Sequence, residues 1–213
     1  IASDGDALIL LQKEFPKLTS YQLPGYNVKF PKNYNLKFKL FLNIPRFLIT
    51  ALKEKNVTER ILDKEKISGI ISDNRFGVRS KKVPSIYITH QLNVLSGKST
   101  SITSSLHQKI IIKFDECWVP DHKIETNLSG ELSNVKNDKF KVKYIGCLSR
   151  LYKKSRSKKY DLLIILSGPE PQRSILEKKL SIQLKDYDKK VLFVRGNFQN
   201  ELLPVINENV TIV

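Results

Sequence analysis

Polar residues that could bind or react with a ligand follow three strand-like apolar runs, each where the run ends. In chain order, these strand-end residues are Asp73 and Asn74, His90 and Gln91, and Ser167 and Gly168. In open parallel α/β sheets, ligands collect at the carboxyl ends of the strands. The three pairs are therefore predicted to border a binding site, in which carboxylate, imidazole and amide groups would bind polar ligand atoms.

The segment that begins at Ser167 has the features of a phosphate-binding turn. Gly168 lets the backbone approach a ligand closely, and the prolines after it suit the first turn of a helix. Free amides and the helix dipole favour an anion at that point, and Arg173, one residue after Gln172, adds positive charge. The segment is neither a GxGxxG motif nor a P-loop, so it does not support a kinase or an ATPase.

Strand and helix patterns alternate along the chain, which is typical of parallel α/β sheets. The predicted strands are Tyr21–Leu23, Ile67–Asp73, Val83–Gln91, Glu116–Asp121, Val142–Gly146, Tyr160–Ser167, Lys190–Arg195 and Val210–Val213. The predicted helices are Asp6–Glu14, Asn35–Glu65 with a kink or break at Pro45, Ser101–Lys113, Pro169–Leu184 and Asn200–Val205.

A basic stretch divides this alternation in two. Residues 148–159 are dense in Lys, Arg and Ser, which indicates an exposed linker. We predict a first domain at 1–151, a basic linker at 152–159 and a second domain at 160–213. The chain opens on what looks like a strand end and closes on an apolar β-branched run, so further residues are expected at both ends.

The first two polar pairs belong to a longer pattern that resembles the acceptor-domain core of the family 28 glycosyltransferases. In that family an Asp follows a strand, a Gly-containing loop comes next, and a Gly-x-Pro strand ends in His-x-x-Asn. Asp73, Pro84, His90, Gln91 and Asn93 match, whereas Val83 stands where the family usually has Gly. Leu162–Arg173 similarly resembles the start of the nucleotide-sugar domain of this group, which includes the enzyme that adds N-acetylglucosamine to the lipid-linked peptidoglycan precursor.

The resemblance implies a fold and a function. The fold is α/β with two Rossmann-like domains of the GT-B type, parallel sheets flanked by helices, and the second domain only partly present. The function is transfer of a sugar from a nucleotide diphosphate sugar, UDP-linked, to an acceptor hydroxyl in a bacterial cytoplasm. The implied acceptor-side cleft contains Asp73, Asn74, His90, Gln91 and Asn93, and the implied donor diphosphate side contains Ser167, Gly168, Gln172 and Arg173.

The family's Gly-rich loop, with the His that is the candidate base, would precede Ile1. No catalytic base is therefore assigned, and this piece alone is expected to be inactive. His107, in a predicted helix, and His122, in a loop, are both expected to be surface residues.

No cofactor or metal is expected, since helix N-termini and Arg would replace a metal at the diphosphate. Two cysteines without a CxxC motif, Cys117 and Cys147, fit neither a zinc site nor a disulfide framework.

Two other functions remain open. An epimerase acting at C2 of nucleotide sugars would share the fold, because fold alone does not determine the reaction. A basic module for nucleic acid would account for the charge, but the chain has no RNP aromatics, zinc finger or aromatic-rich basic helix.

The formal net charge of +16 indicates either an anionic partner or a Lys-rich surface whose lysines are simply solvated by water. Much of the charge lies at Lys136, Lys139, Lys141, Lys143, Arg150, Lys153, Lys154, Arg156, Lys158 and Lys159. If the acceptor is carried on a lipid, as the resemblance implies, the first domain is expected to rest on the inner face of an anionic membrane. The candidate apolar contact is the helix with Phe38, Phe41, Phe47 and Leu48, although core packing is the favoured role of these side chains. No apolar run reaches the roughly 18 residues of a spanning helix.

Overall fold

The computed structural model describes residues 1–26, 44–95, 97, 100–123, 127–134, 140–155, 157–168, 170–196 and 205–213. In this part of the chain every strand pairs in parallel. The predicted α/β architecture with parallel sheets flanked by helices is thus confirmed. The division into two GT-B domains stays a prediction.

Two sheets lie in the N-terminal two thirds of the chain. A small one pairs β1 (Ala2–Ser3) with β2 (Tyr21–Gln22) across helix α1 (Gly5–Glu14). After helix α2 (Ile44–Lys64) comes a four-stranded sheet in the order β3-β4-β5-β6. Its elements are β3 (Ile70–Asp73), β4 (Ser85–Ile88), helix α3 (Thr100–Ile111), β5 (Glu116–Val119), a short 3-10 helix (Gly130–Leu132) and β6 (Val142–Tyr144).

A third sheet follows the basic stretch. It has the order β7-β8-β9, with β7 (Leu162–Ile165), helix α4 (Gln172–Gln183), β8 (Val191–Val194) and β9 (Val210–Ile212). The described residues of 148–159 form no helix or strand and are all exposed.

Alternating burial along the strands shows where each core lies. In the four-stranded sheet, Tyr87, Cys117 and Val119 turn to one face and pack with Ile111 and Phe114 from the end of α3. In the third sheet the core contains Leu166, Leu184, Val191 and Phe193. The polar residues directly after the strands, Asp73, Asn74, His90, Ser167 and Gly168, are exposed.

A buried carboxylate joins the small sheet, α2 and the turn after β3. Glu54 of α2 is fully buried. It accepts hydrogen bonds from Arg75 Nε at 2.6 Å, from the backbone N–H of Gly77 at 2.9 Å and from the Tyr26 hydroxyl. Arg75 also pairs with Asp4 and donates to the Pro24 carbonyl at 2.7 Å. We call Glu54, Arg75, Gly77, Asp4, Pro24 and Tyr26 together the Glu54 node.

Two predicted helices fall partly outside the described residues. The helix expected over Asn35–Glu65 is described from Ile44 to Lys64, with Pro45 as its second residue. That position tolerates Pro because first-turn amides have no intrahelical partner. Of the helix expected over Asn200–Val205, only Val205 is described, and it is not helical.

The predicted membrane-contact helix also lies partly outside the described residues. Phe38 and Phe41 precede the described part of α2. Phe47 packs against Tyr26, with ring centroids 5.9 Å apart, while Leu48 is exposed. Among the described helices, none is long and apolar enough to cross a membrane.

Gly77 is predicted to tolerate no side chain, because a Cβ there would lie 1.9 Å from the Ala51 carbonyl oxygen and 2.6 Å from Glu54 Cβ. Since backbone cannot move aside cheaply, Gly77→Ala should lower the free energy of unfolding by at least about 2 kcal/mol, as overpacked cores do. The measurement is urea unfolding followed by circular dichroism.

Gly69→Ala is the matched control, because its Cβ would meet only the Pro84 carbonyl oxygen at an ordinary 3.5 Å. Equal stability of the two variants would contradict the close packing of α2 on the turn.

Candidate functional site

The turn after β3 holds Asp73 and Asn74 at the carboxyl edge of the four-stranded sheet. Asn74 has a positive φ of 52°, which is uncommon for a residue with a side chain. Its N–H donates to the Ile88 carbonyl at 3.2 Å, and Ser72 Oγ donates to the Arg75 carbonyl at 2.7 Å across the turn. Both Asp73 and Asn74 are exposed, so the turn presents a carboxylate and an amide to solvent.

His90 and Gln91 follow β4 at the same edge. The parallel register places Asp73 opposite Ile88, two residues before His90. The hydroxyl of the buried Thr89 accepts a hydrogen bond from the backbone N–H of Gln91 at 3.0 Å. This bond shapes the backbone after the strand. These two strand-end pairs therefore lie at one edge of the four-stranded sheet, whereas the third pair, Ser167 and Gly168, follows β7 of a separate sheet.

An open cavity of about 390 Å³ lies beside His90. Its lining combines apolar and polar side chains: His90, Pro120, Asp121, Leu128, Ser129 and Leu132. The imidazole and the Ser129 hydroxyl can hydrogen-bond a ligand, while the leucines and the proline offer apolar contact. The cavity thus fits a ligand that has both polar and apolar parts.

Asp121 organises the wall of this cavity. Its Oδ1 accepts the N–H groups of His122 at 2.8 Å and Leu128 at 3.1 Å. Its Oδ2 accepts the N–H of Ser129 at 2.9 Å and also the Ser129 hydroxyl. These donors, led by that hydroxyl, hold the pKa of the Asp121 carboxyl well below its usual range. Because four bonds engage the carboxylate, we interpret it as a structural anchor of the loop.

Asn93 supports the same wall from the other side. Its amide donates to the Glu131 carbonyl at 2.8 Å and the Asn134 carbonyl at 2.9 Å. Both amide hydrogens are thereby used inside the protein. Of the five residues assigned to the acceptor side, Asn93 is thus placed to shape the cavity, whereas Asp73, Asn74 and His90 are exposed.

Sequence reasoning missed the contribution of Asp121 and Ser129. The sequence signal for Asp121 was its position shortly after the apolar run Cys117–Val119, which is like the position of Asp73 at the end of the strand that begins at Ile70. Ser129 gave no local signal, because its position depends on a loop that folds back onto Asp121.

The predicted anion site in the third sheet has a different environment from the one expected. Ser167 and Gly168 are exposed, and Gly168 has a positive φ of 112°, which favours glycine. Gly196 lies against the same turn, since a Cβ there would be 2.2 Å from the Leu166 carbonyl oxygen. The tight, glycine-dependent turn at the end of β7 is therefore present, and Gln172 is exposed at the start of α4.

Arg173, however, is buried and paired. Only 7% of its side chain is exposed, and it forms ion pairs with Glu170 and Glu177. The Ser174 hydroxyl and then Arg173 bind the Glu170 carboxylate and lower its pKa. Glu170 thus places a carboxylate at the helix N-terminus, where the sequence predicted an external anion.

His107 corrects an expectation. It lies in α3 as predicted, but it is largely buried rather than at the surface, with its ring near those of Phe76 (5.7 Å) and Tyr87 (6.0 Å). Burial lowers its pKa to about 4, so the imidazole is neutral near pH 7. Residues far apart in sequence enclose it, which the helical pattern alone could not show. His122 is exposed, as expected.

No known protein family model matches this chain, and no curated protein matches it in sequence. The described residues form no group of three or more His, Cys, Asp or Glu side chains that could hold a metal ion.

The low pKa of Asp121 predicts how stability depends on pH. A carboxyl group whose pKa is depressed in the folded state stabilises the fold above its unfolded pKa, about 3.9, and loses that contribution as the pH falls toward the folded value. Asp121→Asn should therefore destabilise the protein near pH 7, and the difference from the unmodified protein should shrink below about pH 4. Thermal unfolding across this pH range is the measurement.

Asp115→Asn is the comparison variant, since Asp115 is exposed and accepts a single backbone N–H from Ser85 at 2.7 Å. A stability difference for Asp121→Asn that stayed constant down to pH 2 would contradict the proposed anchor.

Proposed function

We propose that this protein is a glycosyltransferase that moves a sugar from a UDP-linked donor to an acceptor hydroxyl. The observation that supports the proposal is the carboxyl edge of the four-stranded sheet, where Asp73 and Asn74 follow the strand next to that of His90, and His90 lines a cavity of mixed polarity. The resemblance to family 28 glycosyltransferases rests on these same residues. Carboxylate, amide and imidazole groups suit a ligand rich in hydroxyls.

In the proposed reaction the bond between the anomeric carbon and the diphosphate oxygen breaks, and the electron pair leaves with the diphosphate. The acceptor oxygen forms the new bond and passes its proton to a general base. Asp73 and His90 are proposed to hold the acceptor hydroxyls in line with the anomeric carbon. The general base is not assigned to a residue of this chain.

The donor diphosphate is proposed to bind at the turn after β7. Gly168 permits close approach of the phosphate oxygens, and the first amides of α4 point toward them. Glu170 opposes this binding, because its carboxylate and the diphosphate carry the same sign of charge. We therefore propose that donor binding displaces Glu170 and that the nearby Arg173 guanidinium then faces the diphosphate.

Removing the charge of Glu170 tests the donor site. UDP should bind the unmodified chain and shift the backbone amide resonances of Ser167, Gly168 and Gln172. Glu170→Gln should tighten binding by about three- to tenfold, because a like charge near the phosphates is removed while the side-chain shape is kept. Titration by NMR and calorimetry gives both quantities, with uridine as the ligand that lacks phosphates.

Glu208→Gln is the matched control, since Glu208 is an exposed carboxylate elsewhere in the third-sheet region. If UDP bound both variants and the unmodified chain equally, or did not bind at all, the donor site would be wrong.

Replacing His90 tests the acceptor side in the enzyme's active form. His90→Ala should lower turnover or raise the acceptor KM by about ten- to a hundredfold, the effect expected when a buried ligand hydroxyl loses its hydrogen-bond partner. Transfer from UDP-sugars to a panel of hydroxyl acceptors is the assay. His122→Ala replaces another exposed histidine and should leave transfer unchanged.

The same assay separates the proposed activity from epimerisation. An epimerase would change the donor sugar without any acceptor, whereas a transferase needs one to make its glycoside. Full activity of His90→Ala would remove His90 from the proposed site.

A further inference from the structure

Two segments far apart in sequence each combine exposed large apolar side chains with lysines. One is the end of α1 and the turn after it, where Phe15 is 46% and Leu18 is 54% exposed. The other is the coil after β6, where Leu148, Leu151 and Tyr152 are 66%, 81% and 80% exposed. Such exposed clusters are uncommon in a water-facing linker, because exposed apolar area is unfavourable.

An ion pair joins the two segments. Arg150 binds Glu14 across 136 positions of the chain. Phe15 and Leu151 are the chain neighbours of the two paired residues, so the pair brings the apolar side chains of both segments to one region. We call this region the Glu14–Arg150 surface, made of 13–18 and 148–154.

The net charge of this surface is positive. Lys13, Lys17, Lys153 and Lys154 are all exposed. None of the four forms an ion pair with a carboxylate among the described residues. Glu14, the acidic residue of the surface, is already neutralised by Arg150. The surface therefore attracts anions and offers them uncompensated positive charge.

The apolar side chains decide which anionic partner fits. Single-stranded nucleic acid is bound by aromatic side chains on which bases stack. Here three of the five exposed apolar residues, Leu18, Leu148 and Leu151, are aliphatic and cannot stack. Aliphatic side chains next to lysines suit a lipid bilayer, where the leucines enter the acyl boundary and the lysines meet anionic headgroups.

We propose that the Glu14–Arg150 surface docks on the headgroup region of an anionic lipid membrane. Its residues differ from Phe38, Phe41, Phe47 and Leu48, for which the sequence alone predicted a membrane contact. The surface contains none of the residues assigned to donor or acceptor, so failure of either proposal leaves the other standing.

Vesicle co-sedimentation of the intact chain tests the docking. The protein should sediment with vesicles of phosphatidylcholine mixed with phosphatidylglycerol and not with vesicles of phosphatidylcholine alone. Each basic residue near such a surface is worth roughly a fivefold change in binding. Lys153→Gln with Lys154→Gln should therefore weaken binding about twenty-fivefold.

The matched control is Lys178→Gln with Lys179→Gln, an adjacent exposed pair on α4 that changes net charge by the same amount. A second pair, Leu151→Ser with Tyr152→Ser, should also weaken binding, and more of its effect should persist at high salt, because apolar burial is not screened. All these side chains are exposed, and circular dichroism of each variant checks that it folds.

Four results would overturn the proposal. The first is no sedimentation with the anionic vesicles at low salt. The second is equal weakening by the α4 lysine pair, which would leave net charge as the cause. The third is binding of a single-stranded oligonucleotide that Lys153→Gln with Lys154→Gln abolishes while vesicle binding is unchanged. The fourth is competition by free glycerol phosphate. If it bound the protein as tightly as the vesicles do, the lipid surface would be unnecessary.

Discussion

The buried carboxylate of Glu54 is the interaction on which the N-terminal part of this structure depends. A fully buried charge is costly unless it is paired and hydrogen-bonded. Glu54 meets that requirement with donors from the turn after β3 and from Tyr26. Breaking a buried pair typically costs roughly 3–5 kcal/mol, so the elements that supply these donors are held together.

The node also determines how the candidate acceptor site is presented. Arg75 and Gly77 follow Asp73 and Asn74 directly, so fixing them on α2 fixes the turn that carries the site. Arg75 reaches from Glu54 to Asp4 at the end of β1. The carboxyl end of β1 and the carboxyl end of β3 are thereby coupled through one guanidinium. An exposed carboxylate on such a supported turn loses little entropy when it binds a ligand, because its backbone is already ordered.

In the third sheet, a nearly buried carboxylate paired with arginines again joins separate elements. Glu177 of α4 is nearly buried and pairs with both Arg173 and Arg195, which joins the helix to the end of β8. Arg173 is therefore a structural side chain in this state and is within reach of Glu170 as well. In the proposed donor complex, Arg173 contacts the diphosphate only after Glu170, the exposed member of the cluster, has been displaced.

Much of the fold could be predicted from the sequence, because strands and helices follow from local hydrophobic patterns. Strand-like runs such as Ile70–Asp73 and Leu162–Ile165, which alternate with segments of helical spacing, were sufficient to predict parallel α/β sheets. Polar strand ends identified Asp73 and His90, since parallel strands must end at one edge. Composition likewise predicted an exposed basic stretch before Tyr160.

Only the tertiary structure decided which partner each polar group has. Asp4 stands at the N-cap position of α1, yet its side chain makes no capping bond and pairs instead with Arg75, 71 positions away. Arg173 looked like a free anion ligand and is buried, and His107 looked exposed and is enclosed. The physical reason is that hydrophobic periodicity is a local property. Burial and ion pairing, by contrast, depend on which distant segments meet, and no spacing within one segment records that.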